Sequence, residues 1–399
     1  MMNDEALVQA KKHILSVSVK PDTVMTRGKG DWLWDTNGRR YLDFIAGWAV
    51  NALGHSPRVL KRALARQAGR LVNASPTFYN DVQAEFAELL AKHSGFDRVF
   101  FCSTGAEANE SAVKLARKYG ALHRNGAYGI VTLTGSFHGR TLATMSASGK
   151  AAFKPLFEPK VSGFTHVPIN DIAALDAAVD DSVCAVMLEP VQGEGGVYPA
   201  DAAYLEAARR ITRERNVLLI FDEVQTGLGR TGRLFAFQRH GIIPDILTLG
   251  KGIGGGFPLA AMLCPEALNI FTPGEQGGTY TGQPLAMAAG LAVVGEIIKR
   301  DLSGRAETMG ALIQKRLHGL AARFPICNIR GEGLLIAFDM PGIDTAKLRD
   351  ACFADGLIIN APQPNTIRFM PALTVAEKSI LHMFRILERV LERTIHTSS

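Results

Sequence analysis

Short apolar runs alternate with helix-length amphipathic stretches from about residue 98 to residue 250, and this alternation restricts the fold more than any other feature. The apolar runs are residues 98–101, 129–134, 183–190, 217–221 and 245–250, and helical patterns such as residues 106–119 and 202–215 separate them. Strands that are apolar along their whole length are typical of a parallel sheet that helices cover on both faces. The pattern therefore predicts an α/β domain built on a mainly parallel sheet.

The pattern changes after Tyr280, where long helical stretches lead to several short strands and then to a final helix from about residue 375 to residue 394. This texture predicts a smaller α+β domain. We expect the N-terminal stretch, with its hairpin turn signal Asn37-Gly38, to join that domain. The predicted division is an N-terminal segment packing with the small domain, the large α/β domain and the small C-terminal domain, at residues 1–55, 56–300 and 301–399.

The composition excludes several classes of protein. The chain has 399 residues, of which 47% are hydrophobic, as in soluble globular proteins. Its net charge of +6 comes from basic residues spread along the chain, which suits acidic small molecules, and no nucleic-acid-binding motif accompanies it. No run approaches the ~20 apolar residues that cross a bilayer, and the first residues lack a signal-peptide pattern. We therefore expect a cytoplasmic protein with neither a membrane nor a nucleic-acid partner.

The five cysteines form an odd set without a C-x-x-C pair. That arrangement argues against a disulfide framework and against a zinc site, so we expect no metal. Reduced, mostly buried thiols are the simplest interpretation of Cys102, Cys184, Cys264, Cys327 and Cys352.

Lys251, in the stretch TLGKGIGGGFPL, follows an apolar run and precedes a cluster of glycines. A phosphate-binding P-loop would need Gly and Ser or Thr where the chain has Asp245 and Gly252. The segment GKGIGG matches a dinucleotide-binding pattern, but that motif opens a helix, and Gly-Phe-Pro follows here. A partly buried lysine at the end of a strand can also form a Schiff base with an aldehyde cofactor. An ordinary surface lysine is the remaining alternative.

Polar residues follow the other apolar runs. Asp222 comes directly after residues 217–221, where a carboxylate without a partner would be costly. A protonated pyridine nitrogen would supply a cationic partner, and a helix N-cap is the ordinary alternative. Another helix begins after residue 102, and its first turn offers either a phosphate cradle or a plain cap at Thr104, Gly105 and Ala106.

Phe137 and Arg140 follow the run at 129–134. The phenyl ring could stack on a flat cofactor and the guanidinium could bind a carboxylate, although a buried Phe and an exposed Arg are common without any function. The carboxyl ends of parallel strands meet at one edge of the sheet. We therefore expect the helix start at Gly105, the ring of Phe137, the carboxylate of Asp222 and the amine of Lys251 to lie close together. Their combination favours the aldehyde cofactor at Lys251.

Long motifs that carry a family resemblance occur in one order along nearly the whole chain. They are YLDFIAGWAVNALGH, STGAEANE, FHGRT, LEPVQGEGGV, FDEVQTGLGRTGRLFAF, PDILTLGKGIGGGFPLAAML, GTYTGQPLA, IRGEGLLI and IRFMPAL. In these motifs the chain resembles the class III (ω-amino acid) aminotransferases, which use pyridoxal 5'-phosphate. The resemblance implies a fold-type I transferase, with a large, mainly parallel domain and a smaller α+β domain.

The resemblance also implies roles at the cofactor. Lys251 would form the Schiff base and move a proton between the substrate Cα and the cofactor C4′, while Asp222 would hold the pyridinium nitrogen. The other cofactor residues that it implies are Gln225 near the phenolic oxygen, Thr104, Gly105 and Ala106 at the phosphate, Phe137 on the ring, and Thr279 at the phosphate of the neighbouring subunit's cofactor. The role of Thr279 makes a homodimer the minimum working unit.

For the substrates, the resemblance implies that Arg140 and Arg368 bind carboxylates. Glu194 would pair with an arginine while an ω-amino donor is bound and release it for a dicarboxylate. Gly278 lies where relatives place a hydroxyl against the substrate. The expected donor is N2-acetyl-L-ornithine and the acceptor 2-oxoglutarate, which yields a semialdehyde and L-glutamate in arginine metabolism.

The stretch GTYTGQP at residues 278–284 departs from the G-[ST]-T-[FY]-G-G-N-P typical of enzymes that act on acetylornithine. Gly278 lacks the hydroxyl, and Thr281 is bulkier than the usual glycine. Succinylornithine, 4-aminobutyrate, ornithine and putrescine therefore stay open as donors. An aminomutase or racemase of the same fold and a nicotinamide-dependent oxidoreductase are the alternatives of other reaction types.

Overall fold

The fold is that of a computed structural model, which describes residues 2–396, with side chains described from residue 5 to residue 394. The strands are β1 (Met25–Lys29), β2 (Trp32–Asp35), β3 (Arg40–Asp43), β4 (Arg98–Cys102), β5 (Gly129–Leu133), β6 (Phe164–Val167), β7 (Val183–Leu188), β8 (Val191–Gln192), β9 (Tyr198–Pro199), β10 (Leu218–Glu223), β11 (Ile246–Leu249), β12 (Ala260–Cys264), β13 (Cys327–Glu332), β14 (Leu335–Asp339), β15 (Leu357–Ile358), β16 (Asn360–Gln363) and β17 (Thr366–Phe369). The α-helices are α1 (Met2–His13), α2 (Ala46–Ala49), α3 (Arg58–Ala68), α4 (Asp81–Ser94), α5 (Gly105–His123), α6 (Leu142–Ala147), α7 (Ile172–Ala178), α8 (Ala202–Glu214), α9 (Pro284–Lys299), α10 (Leu302–Ala321), α11 (Thr345–Ala354) and α12 (Glu377–His396).

A seven-stranded sheet forms the centre of the large domain, in the order β4-β12-β11-β10-β7-β5-β6. Neighbouring strands run parallel except at β12, which is antiparallel to both β11 and β4. Every residue of β7, β10 and β11 is buried, as their continuous apolar sequences require. The predicted α/β fold with a mainly parallel sheet is therefore confirmed. The antiparallel β12 was not predicted.

Helix α5 sets one wall of the site because of how it begins. Thr104 is its N-cap, and a capping box joins the Thr104 hydroxyl to the Glu107 amide and the Glu107 carboxylate back to the Thr104 amide. Further along the helix, Gly120 lies so close to the sheet that a Cβ would come 1.8 Å from the carbonyl oxygen of Ala127. The cap fixes the start of the helix at the edge where β4 ends, and the glycine permits close packing.

Two smaller sheets complete the fold. One has the order β13-β14-β17-β16, and the other has the order β1-β2-β3-β15, in which β3 from the N-terminal stretch pairs in parallel with β15. The hairpin of β2 and β3 encloses the Asn37-Gly38 turn, as expected from the sequence. The exact boundaries of the three proposed parts stay a prediction.

Between residues 2 and 396, no helix combines the length and the apolar character needed to cross a membrane. Four of the cysteines are buried, and Cys327 is exposed. The prediction of mostly buried thiols is therefore confirmed.

Candidate active site

A cavity of about 460 Å³ lies at the carboxyl ends of the parallel strands. Residues that follow β4, β5, β7 and β11 line it together with the end of β10; those predicted from the sequence are Thr104, Gly105, Ala106, Phe137, Arg140, Glu194, Asp222, Gln225 and Lys251. The residues come from five separate parts of the chain, and the topology of the sheet brings them to one edge.

Lys251 follows β11 in a strained backbone conformation. Its φ is 46°, in the left-handed region that residues other than glycine rarely adopt. Burial lowers the pKa of its amine below the ordinary value, and this outweighs the nearby charge of Glu194, which acts in the opposite direction. A lowered pKa leaves more of the amine uncharged and therefore nucleophilic. The glycines beyond it allow a close turn: a Cβ on Gly255 would come 2.7 Å from Val293.

Asp222 is the acid at the floor of the cavity. The sequence predicted that Asp222 directly follows the strand. In the structure β10 extends through Glu223, so Asp222 lies within the strand. Its Oδ2 accepts hydrogen bonds from His138 Nδ1 at 2.7 Å and Asn109 Nδ2 at 2.8 Å, and its Oδ1 accepts one from the Val224 amide at 3.0 Å. The side chain thus accepts three hydrogen bonds, which fix its direction.

His138 is the titratable partner of Asp222. Burial would lower the pKa of His138, but the hydrogen bond to Asp222 and the charge of that carboxylate raise the pKa above its ordinary value. The contact with Asp222 therefore favours the protonated imidazole more strongly than burial disfavours it.

The start of α5 leaves backbone donors at the cavity. The Glu107 carboxylate accepts hydrogen bonds from the amides of Ser103 and Thr104, and the Thr104 hydroxyl is engaged with Glu107 as well. No described residue accepts a hydrogen bond from the amides of Gly105 and Ala106, which belong to the first turn of the helix. An anion at this position would meet those two amides rather than a free Thr104 hydroxyl.

Gly105 is fixed by packing as well as by position. A Cβ at this residue would come 2.6 Å from Cγ1 of Val224, which also lines the cavity. The small residue lets the helix start approach the segment that follows Asp222.

Glu194 and Arg368 form an ion pair at the cavity. Arg368 Nη2 donates to Glu194 Oε1 at 2.7 Å, Nη1 donates to the carbonyl oxygen of Gly193 at 2.7 Å, and Nε donates to Asn360 Oδ1 at 2.9 Å. Burial alone would raise the pKa of Glu194, but the charges of Arg368 and Lys251 lower it below its ordinary value. Arg368 reaches the site from β17, in one of the smaller sheets.

Three of the residues predicted from the sequence, Arg140, Gly278 and Thr279, are exposed in the structure. Arg140 is exposed at the cavity, and no described residue forms a hydrogen bond or ion pair with its guanidinium. Gly278 and Thr279 are exposed and line a separate cavity of about 320 Å³ beside the start of α5, so a single chain does not bring them to Lys251.

Sequence reasoning missed His138, Asn109, Glu189 and Val224, all of which line the cavity. Glu189 accepts hydrogen bonds from the amides of Phe137 at 2.9 Å and Gly193 at 3.1 Å, and burial raises its pKa to about 7. A histidine next to Phe137 and a carboxylate at the end of β7 were visible signals. Nothing in the sequence indicated that Asn109 belongs to the site, because it lies within a helix among small residues.

The chain was compared with known proteins. The family model described as "Aminotransferase class-III" matches residues 15–391. Acetylornithine aminotransferase 2 of Bordetella bronchiseptica is 49% identical over 381 residues, which cover 95% of this chain and 96% of that protein. Acetylornithine aminotransferase of Ralstonia nicotianae is 48% identical, over 95% of this chain and 97% of that protein.

Two solved structures have the same fold. Ornithine aminotransferase from Toxoplasma gondii has a TM-score of 0.95 at 32% identity and covers 99% of this chain and 95% of its own. Acetylornithine aminotransferase from Elizabethkingia anophelis has a TM-score of 0.87 at 33% identity and covers 98% of this chain and 99% of its own. This chain belongs to the class III aminotransferases. The predicted family and the fold-type I class are confirmed.

Class III aminotransferases depend on pyridoxal phosphate, and the Toxoplasma structure is described with that cofactor at its active site. The cavity fits this group. Gln225 Nε2 is buried at the cavity without a hydrogen-bond partner among the described residues, and it could donate to a phenolic oxygen. The unpaired amides of Gly105 and Ala106 suit a phosphate, and Asp222 suits a protonated ring nitrogen.

Proposed function

We propose that this enzyme moves the terminal amino group of N2-acetyl-L-ornithine to 2-oxoglutarate, giving a semialdehyde and L-glutamate, with pyridoxal 5'-phosphate as cofactor. The ion pair of Glu194 and Arg368 beside Lys251 is the observation that supports a reaction with both an ω-amine and a dicarboxylate. The choice of donor rests on relatives 42% to 49% identical, which are named acetylornithine aminotransferases. Such a reaction belongs to arginine metabolism.

The cofactor, when bound, supplies an aldehyde that accepts the amino group and a pyridine ring that draws electrons from the carbon losing its proton. Asp222 would hold the ring nitrogen in its protonated form, and Gln225 would donate to the phenolic oxygen. The amides of Gly105 and Ala106 would bind the phosphate at the start of α5, with Thr104 holding that turn in place. Phe137 would stack on the ring.

Lys251 carries out the proton transfer. Its Nζ would hold the cofactor covalently in the resting enzyme. Once free, the amine would act as the base that moves a proton from the substrate carbon, a role for which its lowered pKa is suited.

Glu194 and Arg368 let one site accept both substrates. While the ω-amino donor is bound, Glu194 neutralises Arg368, as in the structure. When 2-oxoglutarate enters, its distal carboxylate replaces Glu194 on Arg368. Arg140, exposed and free of any described partner, binds the other carboxylate at the mouth. Gly278, which lies away from Lys251 within one chain, would leave space at the donor side of the partner copy's site.

A homodimer is part of the proposal. Thr279 is exposed and lies away from Lys251 within one chain, so the cofactor phosphate that it contacts would belong to the partner copy. Several large apolar side chains are exposed on the surface of the single chain and could be covered in a dimer: Trp48, Phe78, Tyr79 and Tyr280. Light scattering should therefore give twice the monomer mass.

We also propose a cytoplasmic location, which cell fractionation would test.

A panel of amino donors tests the proposal. The purified enzyme, loaded with cofactor and 2-oxoglutarate, is assayed for glutamate with acetylornithine, succinylornithine, ornithine, 4-aminobutyrate and putrescine. Acetylornithine should give the highest kcat/KM. A higher kcat/KM for another donor would replace the substrate assignment and leave the reaction type intact.

The half-reaction separates the transaminase from an aminomutase or racemase of the same fold. Donor alone should convert the bound cofactor to a stable pyridoxamine phosphate and release one semialdehyde per site. Turnover of the donor without any acceptor would overturn the transaminase assignment.

A further inference from the structure

Asn109 is buried beside Asp222 with every polar group of its amide in use. The side chain is 1% exposed. Its Nδ2 donates to Asp222 Oδ2 at 2.8 Å and to the carbonyl oxygen of His138 at 2.7 Å, and its Oδ1 accepts from the Thr248 hydroxyl at 2.7 Å. The amide therefore connects Thr248 to the acid.

Thr248 determines which way that amide faces. The two partners of Nδ2 are a carbonyl and a carboxylate oxygen, which accept hydrogen bonds, whereas the Thr248 hydroxyl donates to Oδ1. If the amide turned over, its oxygen would face Asp222, and two acceptors would meet without a proton in a buried site. Thr248 is fully buried and disfavours that arrangement.

The sheet holds this arrangement in register. Thr248 lies directly opposite Asp222 on the neighbouring parallel strands β11 and β10. It also precedes Lys251 by three residues on the same strand and turn. The Thr248 hydroxyl thus links β11, the strand that leads to Lys251, to the hydrogen bonds around Asp222.

From these contacts we propose that Thr248 and Asn109 form a relay that positions a donor on Asp222 and keeps this carboxylate aimed into the cavity. The inference rests on the proposed function, in which Asp222 holds the cofactor's ring nitrogen. Both are positioning residues that act through Asp222. His138 supplies the second donor to the same carboxylate oxygen, so loss of the relay leaves Asp222 with one side-chain donor instead of two.

Replacing the hydroxyl tests the relay with little change in shape. Thr248→Val removes the donor, and Thr248→Ser keeps it. Because Thr248→Val leaves the buried amide oxygen of Asn109 without its donor, we expect this variant to weaken cofactor binding about tenfold, measured by equilibrium dialysis. Thr248→Ser should bind within about twofold of the unaltered enzyme. The kcat should fall in the valine variant while KM for the donor stays unchanged.

Thr132→Val is the matched control. Thr132 is also a fully buried threonine on a parallel strand, and its hydroxyl donates to the carbonyl oxygen of Ala147 at 2.7 Å, away from Asp222. This variant should lose thermal stability to a similar extent as Thr248→Val, with an unchanged dissociation constant for the cofactor. Equal weakening in both valine variants would mean that Thr248 acts through packing alone, and the relay would be wrong.

A double-mutant cycle measures whether the two residues act as one unit. Asn109→Leu removes the amide, so adding Thr248→Val should change the cofactor's dissociation constant no further. Independent, additive effects would contradict the relay. If the unaltered enzyme bound no pyridoxal phosphate, the proposed function would fail first, whereas unchanged binding in Thr248→Val would remove only the relay.

Discussion

Gly105 shows how a single side chain would close the phosphate end of the site. A Cβ there would lie 2.6 Å from Val224 Cγ1, on a segment fixed next to Asp222. We therefore expect Gly105→Ala to lower the free energy of unfolding by about 1–3 kcal/mol and to weaken cofactor binding.

The steric origin of that effect can be checked by making room. The double variant Gly105→Ala, Val224→Ala should regain most of the cofactor affinity, measured by fluorescence titration. If Val224→Ala did not rescue Gly105→Ala, the close contact would not be the cause.

Glu194 is expected to affect the two substrates in opposite directions. Glu194→Gln leaves Arg368 buried without its neutralising charge. The dicarboxylate 2-oxoglutarate then no longer has to displace a carboxylate, so its KM should fall, whereas KM for the cationic ω-amino donor should rise, each by about tenfold. Stopped-flow measurement of the separate half-reactions resolves the two. Equal changes for both substrates would argue that Glu194 has only a structural role.

Among individual residues, those at the ends of parallel strands could be assigned to the site from the sequence. Lys251 and Asp222 were accessible because parallel strands bring their carboxyl ends to one edge. His138 and Asn109 contact Asp222 across 84 and 113 residues of sequence, and no spacing rule indicates such a contact. Arg368 reaches the site from β17, and only the family resemblance indicated that it belongs there.

Among the elements, the start of α5 combines a helix cap with the proposed phosphate site. Glu107 Oε2 accepts from the amides of Ser103 at 3.0 Å and Thr104 at 2.7 Å. Glu107→Ala should therefore cost about 1 kcal/mol of stability in denaturant unfolding of the apoenzyme. It should also weaken cofactor binding, because the amides of the same turn lie at the cavity.

The cap of α11 provides the control for that variant. Asp344 Oδ1 accepts from the amides of Ala346 at 3.0 Å and Lys347 at 3.1 Å, far from the cavity in sequence and in fold. Asp344→Ala should lose similar stability and leave cofactor affinity unchanged. A loss of affinity in both variants would show that it follows general destabilisation.

Element by element, the continuous apolar runs were the reliable signals. They predicted β4, β5, β7, β10 and β11 because burial on both faces leaves a strong pattern. Strand β12 was missed: its short sequence AAMLC follows a glycine-rich turn, and its antiparallel pairing with β11 and β4 leaves no signal in the sequence. The end of β10 was placed before Asp222 because a carboxylate is rarely buried in a strand, and here tertiary hydrogen bonds satisfy it.

For the whole molecule, buried acids determine how stability varies with pH. Burial raises the pKa of Glu223 to about 8 and that of Glu189 to about 7. The folded state then holds protons that the unfolded state has released, so stability is fully present below about pH 4.5 and is lost as pH rises toward 8. The raised pKa of His138 acts in the same direction.

The apoenzyme should accordingly lose on the order of a few kcal/mol of stability between about pH 5 and pH 8, measured by denaturant unfolding. Glu223→Gln should reduce the slope by the largest fraction above about pH 8, because Glu189, with a pKa of about 7, has released most of its proton by then. A stability that rose with pH over this range would contradict the buried acids as its cause.

Over the whole molecule, the sequence predicted the fold class but could not predict the pairing of distant ends. The parallel contact of β3 with β15 joins strands at opposite ends of the chain, and nothing local to Tyr41 or Leu357 indicates it. Residues 278–281 line a cavity separate from that of Lys251, and their role in the proposed homodimer stays a prediction.

The central claim is that the amine of Lys251 holds the cofactor. Borohydride reduction of the purified, cofactor-loaded enzyme, followed by peptide mass spectrometry, tests it directly. The expected result is a reduced pyridoxal phosphate on the peptide that contains Lys251, absent with all glutamate formation in Lys251→Ala and unaffected in the exposed control Lys299→Ala. A reduced cofactor on any other lysine, or full turnover by Lys251→Ala, would contradict the account.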